Sequence, residues 1–347
     1  MSGPRGYSSY HGRSPVWKWL LIVLLILIIL AAGAYLVIQN YLVYDANGVA
    51  HLELPWQTEE EAPPPSSDQE PSPEEEPDDL VIQEPERKTP QVTRGVALSG
   101  DTALWQTAVS GLAAAGQNSF AVTVKEGGGK VNYASTVAQK DALSQTAAQV
   151  SALLPTLLAG ETHAVARLSC FRDEFYSTAN LDGAGLKNTG GYIFWDGANQ
   201  RWLDPAKADA RKYLCALAAE CAAMGFDEIL LTDFTYPTQG KLNKIAYGKD
   251  VDRTAQLTLF LTELRQALEP YEVTVSVELP APLFATGADD TAGLRLADIA
   301  AKVDAVYVET SEAEYAALAA KLPETVRLVA EGKTAPVDET VSYLMLP

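Results

Sequence analysis

Short β-branched runs alternate with Ala- and Leu-rich segments of helical period from about residue 93 to residue 347. This alternation is typical of parallel βα units, because a strand that returns to the same sheet in parallel needs a crossover, usually a helix. Strands are predicted at 94–98, 118–124, 163–170, 227–232, 272–277, 304–308, 326–330 and 341–345. Helices are predicted near 101–116, 137–159, 205–225, 252–269, 291–302 and 311–322. Eight strands with interleaved helices predict an α/β fold of the (β/α)₈ TIM-barrel type over residues 93–347.

An open doubly wound sheet is the alternative fold for such a pattern. It would usually carry a glycine-rich phosphate-binding turn after its first strand. Here the first strand is followed by Ser99-Gly100-Asp101, which is not such a turn. The barrel is therefore the favoured interpretation.

The N-terminal region predicts a membrane anchor. Trp19–Ile38 contains twenty residues without a charge, which as a helix spans about the 30 Å of a hydrocarbon core. We expect a cytoplasmic tail at 1–15 and a transmembrane helix at 16–40, because the positive charges precede the apolar run and place the N-terminus inside. A cleaved signal peptide ending near Ala32-Gly33-Ala34 is the alternative, but apolar residues continue past that point. Everything after the helix is then expected to be extracytoplasmic.

Two further segments separate the anchor from the barrel. Residues 41–56 resemble a short hairpin, with apolar runs around Ala46-Asn47-Gly48. Residues 57–92 are predicted to form a disordered, extended linker, because they are rich in Pro and contain few large apolar side chains. Within this linker, residues 57–86 carry twelve acidic and no basic residues.

Composition excludes several kinds of function. The net charge is −19, so the chain offers no basic face for nucleic acid. Only three His are present, too few for a His-rich zinc site or a Ser/His/Asp hydrolase, and no spacing resembles a zinc or EF-hand site. The three Cys form no CxxC pair, and we expect buried thiols. We therefore predict no metal and no cofactor, and any chemistry has to come from carboxylates.

Acidic residues follow most of the predicted strands. In a (β/α)₈ barrel the active site lies at the C-terminal ends of the strands, where such side chains converge. Charged residues at or after strand ends are Glu126, Arg172, Asp173, Asp233, Glu278, Glu309 and Glu331. A single one of these would be an ordinary loop carboxylate, but their recurrence at successive strand ends indicates a site.

Strand parity identifies which of these side chains point into the barrel. In the fifth strand, Val275 and Val277 suit the helix layer, so Glu278 points inward. In the sixth strand the same alternation puts Tyr307 and Glu309 inside. Asp233 directly follows the fourth strand, so its direction depends on how the chain turns there.

Two carboxylates at neighbouring strand ends are the minimum equipment for glycoside hydrolysis, in which one protonates the leaving oxygen and the other attacks or activates water. We predict Asp233 as the nucleophile and Glu278 as the acid/base. The long segment after the third strand adds Trp195 and Trp202, whose rings could stack on sugars or simply pack in the loop.

Four ordered runs resemble a bacterial family of glycosyl hydrolase domains of amylase-like TIM-barrel type. They are TVKEGGGKVNY (Thr123–Tyr133), ARLSCFRD (Ala166–Asp173), Trp202-Leu203-Asp204-Pro205 and GFDEILLTDFTYP (Gly225–Pro237). The chain departs from the family pattern where that pattern has acids and an arginine: Thr123, Glu126 and Thr232 stand at its Asp positions, and Thr235 at its Arg position. Asp233 is offset by one from the family's strand-four Asp.

The resemblance implies a glycoside hydrolase that acts on a polysaccharide or cell-envelope glycan. The alternative is a catalytically inactive barrel that binds an envelope glycan or a protein partner, which would account for Thr232 and Thr235. The residues predicted to bind substrate are Lys125, Glu126, Arg167, Arg172, Asp173, Trp195, Trp202, Tyr236, Tyr307, Glu309 and Glu331.

Overall fold

The computed structural model describes residues 42–44, 50–52 and 92–347. The chain divides into two compact units, Met1–Val81 and Ile82–Pro347. In the first unit, β1 (Leu42–Tyr44) pairs antiparallel with β2 (Ala50–Leu52), in the stretch where a hairpin is predicted. The predicted transmembrane helix at 16–40 lies outside the described residues, as does the predicted linker except for Val92.

The second unit contains a closed parallel barrel of eight strands. Its strands are β3 (Arg94–Ala97), β4 (Ser119–Lys125), β5 (His163–Ser169), β6 (Glu228–Thr232), β7 (Thr274–Glu278), β10 (Ala305–Glu309), β11 (Arg327–Gly332) and β12 (Tyr343–Met345). Neighbours in sequence are neighbours in the barrel, and β12 pairs with β3 to close it. The predicted (β/α)₈ fold and all eight strand positions are confirmed.

Helices occupy most of the connections between the barrel strands. They are α1 (Trp105–Gly111), α2 (Ala147–Leu158), α3 (Phe175–Ala179), α4 (Ala208–Met224), α5 (Arg253–Leu268), α6 (Pro282–Thr286), α7 (Leu296–Ala300) and α8 (Glu312–Ala319). The start of α5 is set by Asp252, whose carboxylate accepts a hydrogen bond from the Ala255 backbone N–H at 3.0 Å. The predicted helix at 291–302 is wrong in its first part, where β8 (Ala288–Asp289) and β9 (Leu294–Arg295) form a small antiparallel pair.

Successive side chains of each strand point to opposite faces of the sheet, so the buried apolar residues form two separate clusters. The barrel interior holds one buried side chain from most strands, namely Ala121, Val165, Leu230, Ala305, Tyr307, Val329 and Leu344. The opposite faces pack under the helices and include Val275, Val277, Val306 and Val308. The predicted inward and outward faces of β6, β7 and β10 are confirmed. The same parity places Arg167, Ser276 and Glu331 on the interior side, two positions from Val165 on β5, Glu278 on β7 and Val329 on β11.

Two smaller expectations concern cysteines and the membrane. Cys170, Cys215 and Cys221 are buried free thiols, as predicted. Among the described residues, no helix has the length and hydropathy needed to cross a bilayer.

Candidate active site

A cavity of about 610 Å³ opens at the C-terminal ends of β6, β7 and β10. Its lining includes the carboxylates Asp233, Glu278, Asp289 and Glu309. The rest of the wall comes from the segment after β6, the Pro280-Ala281-Pro282 turn after β7, and the β8/β9 pair. The C-terminal mouth of the barrel therefore brings together the two predicted catalytic acids and one predicted subsite acid.

Asp233 reaches the cavity because the chain makes an unusual turn after β6. Its φ of 49° lies in the left-handed region, which L-residues other than Gly, Asn and Asp rarely occupy. The Asp233 carboxylate accepts a hydrogen bond from the Ser169 hydroxyl at 2.6 Å on one oxygen. Its other oxygen lies 3.1 Å from the Arg172 guanidinium. The carboxylate is thus oriented by two neighbours from the end of β5.

The loop after β4 fixes the position of Arg172. A Cβ on Gly127 would lie 2.2 Å from one guanidinium nitrogen of Arg172, so only a glycine allows this close approach. Arg172 also pairs in a short antiparallel bridge with Trp202. The glycine-rich run that resembles the family motif therefore packs against the arginine that contacts Asp233.

A second group of charges surrounds Glu278. Arg167, from the middle of β5, places one guanidinium nitrogen 3.0 Å from Glu278 and 3.3 Å from Glu331. The Glu278 side chain is 37% exposed, whereas that of Glu331 is only 2% exposed. The contact of Arg167 with Glu331 lacks hydrogen-bond geometry, and Glu331 Oε1 has no hydrogen-bond partner within the described part of the chain.

The charge state of Glu331 follows from these surroundings. Burial raises the pKa of Glu331 to about 7, and the nearby Glu278 carboxylate adds to this rise, while Arg167 opposes it. An ordinary glutamate is ionised at neutral pH. Glu331 therefore keeps its proton to a higher pH than an ordinary glutamate does.

Two of the predicted substrate contacts, Lys125 and Asp173, have buried side chains that do not line the cavity. They form an ion pair of 3.1 Å in which each side chain is at most 1% exposed. Lys125 also donates a hydrogen bond to the backbone carbonyl of Ser169 at 2.8 Å, and Asp173 accepts one from the Tyr176 N–H at 2.7 Å. The pair holds the end of β5 and the following loop together, beneath the site.

Three aromatic residues predicted to contact substrate are also buried. Trp202 is 6% exposed, and its indole N–H donates to Asp196 at 2.9 Å. Tyr236 is fully buried against Tyr247, and Tyr307 lies inside the barrel. These side chains pack in the core and cannot stack on a sugar.

Two other predicted binding residues are accessible but do not line the cavity. Trp195 is 40% exposed, and the Arg201 guanidinium covers one face of its ring at 4.2 Å. Glu126 is exposed and accepts a hydrogen bond from Asn132 at 3.0 Å. Both remain predictions for more distant subsites.

The structure adds site residues that the sequence analysis did not select. Ser169 follows Arg167 by two positions on β5, so strand parity could have found it. Asp289 and Thr238 come from irregular connections, for which no periodic signal exists. The Asp289 carboxylate also accepts hydrogen bonds from the N–H groups of Thr291 and Ala292, which shapes the β8/β9 turn.

The described residues contain no group of three or more His, Cys, Asp and Glu side chains arranged to hold a metal ion. The chemistry that this arrangement can perform by itself is proton transfer and nucleophilic attack by carboxylates.

Comparisons with known proteins agree with this geometry. Residues 95–315 match the family model described as "Putative glycosyl hydrolase domain". The PgaB (BpsB) glycoside hydrolase domain from Bordetella bronchiseptica superposes with a TM-score of 0.52 at 13% identity, covering 74% of this chain and 94% of that one. This likeness supports the TIM-barrel fold.

Two further structures have lower TM-scores. A hypothetical protein from Ruminiclostridium thermocellum is 26% identical, with a TM-score of 0.47, and covers 52% of this chain and 96% of its own. The glycoside hydrolase domain of PelA from Pseudomonas aeruginosa is 13% identical, with a TM-score of 0.40, and covers 70% of this chain and 83% of its own. A search of curated proteins found no match.

Proposed function

Because the chain belongs to this family of glycosyl hydrolase domains, we propose that it is a membrane-anchored glycoside hydrolase that cleaves an extracytoplasmic polysaccharide with Asp233 and Glu278. The observation that carries the proposal is that both carboxylates line one cavity at the C-terminal mouth of the barrel.

Asp233 suits the role of nucleophile. A nucleophilic carboxylate has to be ionised and held in one orientation while it attacks the anomeric carbon. The Ser169 hydroxyl and the Arg172 guanidinium each contact a separate oxygen of the Asp233 carboxylate, so the two contacts hold it in one orientation. The offset from the family's Asp position is compensated by the turn at Asp233, which directs this carboxylate into the cavity.

Glu278 suits the role of acid/base. It closes β7, faces the cavity and is partly accessible, so it can reach the leaving-group oxygen of a bound glycan. During cleavage the bond between the anomeric carbon and the leaving oxygen breaks as Asp233 forms a new bond to that carbon. The Glu278 proton moves to the leaving oxygen, and Arg167 then stabilises the carboxylate left behind.

The cavity wall favours a glycan without acidic groups. Four carboxylates line the wall, and no Lys, Arg or His is among its described lining residues. A uronic acid or sulfated sugar would meet like charges there, which costs binding free energy. Neutral and amino sugars would not, so we propose a cell-envelope glycan of one of these two classes.

The cellular position of the enzyme is part of the same proposal. It rests on the charge-free run Trp19–Ile38 and the positive charges before it. In intact cells we expect a protease added outside to remove the barrel while a tag on the N-terminus stays protected. Protection of the barrel would contradict the orientation.

The test of hydrolysis is a screen of the full chain in detergent for reducing-end release from peptidoglycan and from α- and β-glucans. The Glu278→Gln protein serves as the catalytic variant, and Glu324→Gln, at an exposed position after α8, serves as the matched control. We expect Glu278→Gln to lower release by roughly 10²–10⁴-fold and Glu324→Gln to leave it unchanged. Equal release by all three proteins would contradict the proposal.

A non-catalytic barrel that binds envelope glycan is the second candidate. Thr232 and Thr235 at the family's Asp and Arg positions favour it. In that case the wild type and Glu278→Gln would bind the same glycan without cleaving it, and affinity would depend on the exposed ring of Trp195. Measuring binding of both proteins, and of Trp195→Ala, to the screened glycans therefore separates the two candidates.

A further inference from the structure

We propose that Glu331 is a positioning residue which, through Arg167, keeps Glu278 able to carry the catalytic proton. The two glutamates and the single guanidinium would titrate as one unit that holds one proton. The inference deepens the proposed function and rests on it, because it concerns the acid/base step assigned to Glu278.

The geometry places one positive charge between two carboxylates. The same Arg167 nitrogen lies 3.0 Å from Glu278 and 3.3 Å from Glu331. The three residues come from β5, β7 and β11, and all of them lie on the interior face of the barrel. One guanidinium can compensate one carboxylate charge, so a second ionised carboxylate in the same place would be uncompensated.

Without Glu331, the Arg167 guanidinium would contact Glu278 as its only carboxylate in this group of three residues. A guanidinium in direct contact favours the ionised form of a carboxylate. Glu278 would then be ionised at the moment when it has to donate a proton. A second carboxylate that competes for the same guanidinium restores the protonated form, because the proton can lie on either glutamate while Arg167 pairs with the other.

The surroundings of Glu331 favour a shared proton. Its side chain is 2% exposed, and Oε1 has no hydrogen-bond partner among the described residues. Burial, with Glu278 adding to its effect, raises the pKa of Glu331 to about 7. Carboxyl groups that share a site generally lose their protons in separate steps.

Other charged groups near the unit are few. Glu309 pairs with Glu331 across β10 and β11, and its negative charge also favours protonation. Tyr307 lies deeper in the barrel, where burial raises its pKa well above the ordinary value, so it stays neutral. On the other side, β12 places the apolar Leu344 beside Glu331. Arg172 pairs with Asp233.

The single proton of the unit is then used in the first step of the reaction and recovered in the second. Before cleavage the shared proton lies on Glu278 while Arg167 pairs with the ionised Glu331. Glu278 gives this proton to the leaving oxygen, and both carboxylates are then ionised beside the single guanidinium, which favours return of a proton. In the second step Glu278 takes a proton from the attacking water, whose oxygen bonds to the anomeric carbon as the bond to Asp233 breaks.

The test is a titration of the full chain labelled with ¹³C at the glutamate carboxyls, followed by NMR. Signals of Glu278 and Glu331 are assigned from the Glu278→Gln and Glu331→Gln proteins. We expect the Glu278 and Glu331 signals of the wild type to change over the same pH range, which is the mark of coupled groups. In Glu331→Gln, the Glu278 midpoint should fall by at least about one pH unit, because Arg167 then faces Glu278 alone.

Two comparisons make the result decisive. Glu324→Gln should leave both curves unchanged. A wild-type Glu278 curve that does not follow the Glu331 curve would overturn the proposal, even if Glu331→Gln failed to fold. A Glu278 curve that is the same in Glu331→Gln and in the wild type would overturn it as well.

The titration is independent of the hydrolysis screen, so the two proposals can fail separately. If the protein hydrolyses glycan but Glu278 titrates independently of Glu331, the proposed function stands and the role of Glu331 is rejected. Coupled titration in a protein that cleaves no glycan in the screen would support the shared proton and contradict the proposed function.

Discussion

Two glutamates at opposite ends of the same barrel are both almost fully buried, yet their environments are opposite. Glu228 begins β6 at the N-terminal end, and its carboxylate contacts His163 and Arg327 at 2.8 Å each and accepts a hydrogen bond from Ser276. Glu331, near the end of β11, shares one guanidinium with Glu278 and has an oxygen without a hydrogen bond in the described structure.

The pKa values of the two residues move in opposite directions. At Glu228 burial raises the pKa, but the contacts with His163, Arg327 and Ser276 outweigh it and lower the pKa to about 2. At Glu331 burial is not offset, and the pKa rises to about 7. Burial alone therefore does not set the charge of an interior acid. The partners of the carboxylate also matter: Glu228 contacts His163, Arg327 and Ser276, whereas Glu331 shares the guanidinium of Arg167 with Glu278.

The largest expected effect is a loss of stability when the charge of Glu228 is removed. Glu228→Gln removes the charge that His163, Arg327 and Ser276 all contact, in a fully buried position. We expect the free energy of unfolding at pH 7 to fall by roughly 3 to 5 kcal/mol, as when one partner of a buried pair is removed. Urea unfolding measures it, with Glu324→Gln as the matched surface control. A loss no larger than that of the control would show that the cluster contributes no net stability.

The pH dependence of stability sharpens the comparison. The pKa of Glu228 is lower in the folded protein than its ordinary value of 4.5, so its stabilising contribution is present above pH 4.5 and is lost as the pH falls toward 2. The pKa of Glu331 is raised from 4.5 to about 7, so its contribution is present below pH 4.5 and is lost as the pH rises through 7.

Glu331→Gln removes this second titration. Relative to the wild type, the variant should therefore gain stability between pH 4.5 and 8, by roughly 3 kcal/mol for a shift of this size. Glu228→Gln should show the reverse trend, with its deficit shrinking as the pH falls below 4.5. Unfolding curves of both variants and the wild type at four pH values measure the trends. Parallel curves for Glu331→Gln and the wild type would contradict the difference between the two ends.

Much of the fold follows from local patterns in the sequence. Alternation in β10 puts Val306 and Val308 under the helices and Tyr307 in the interior, because a strand between two apolar layers has side chains on both faces. The same rule predicts that Glu278 faces the barrel. Helical periodicity, by contrast, is misleading at 291–295, where the short β8/β9 pair replaces the first part of a predicted helix.

Other properties of the site depend on contacts between distant segments. Trp195 and Trp202 are both aromatic residues of one long loop, and only the fold exposes the first and buries the second against Asp196. The raised pKa of Glu331 depends on its burial in the barrel and on Glu278, which lies on a strand far away in sequence. The direction of Asp233 depends on a left-handed turn that no periodicity encodes.

The smallest expected effect concerns the support of Asp233 at the active end. Gly127→Ala would place its Cβ 2.2 Å from the Arg172 guanidinium, which is the flexible end of a side chain and can move away. Arg172 would then lose its 3.1 Å contact with Asp233, while the hydrogen bond from Ser169 would remain. We expect hydrolysis of the glycan found in the screen to fall roughly tenfold, as for one weakened charge-assisted contact. The unfolding free energy should stay within about 1 kcal/mol of the wild type.

Gly128→Ala provides the matched control for this loop. A Cβ at Gly128 meets nothing within 4 Å, so the change adds the same methyl group to the same loop without touching Arg172. Activity and stability of this variant should equal those of the wild type. If Gly127→Ala and Gly128→Ala had the same activity, the contact of Arg172 with Asp233 would not contribute to catalysis. The orientation of Asp233 would then depend on Ser169 and on the turn after β6.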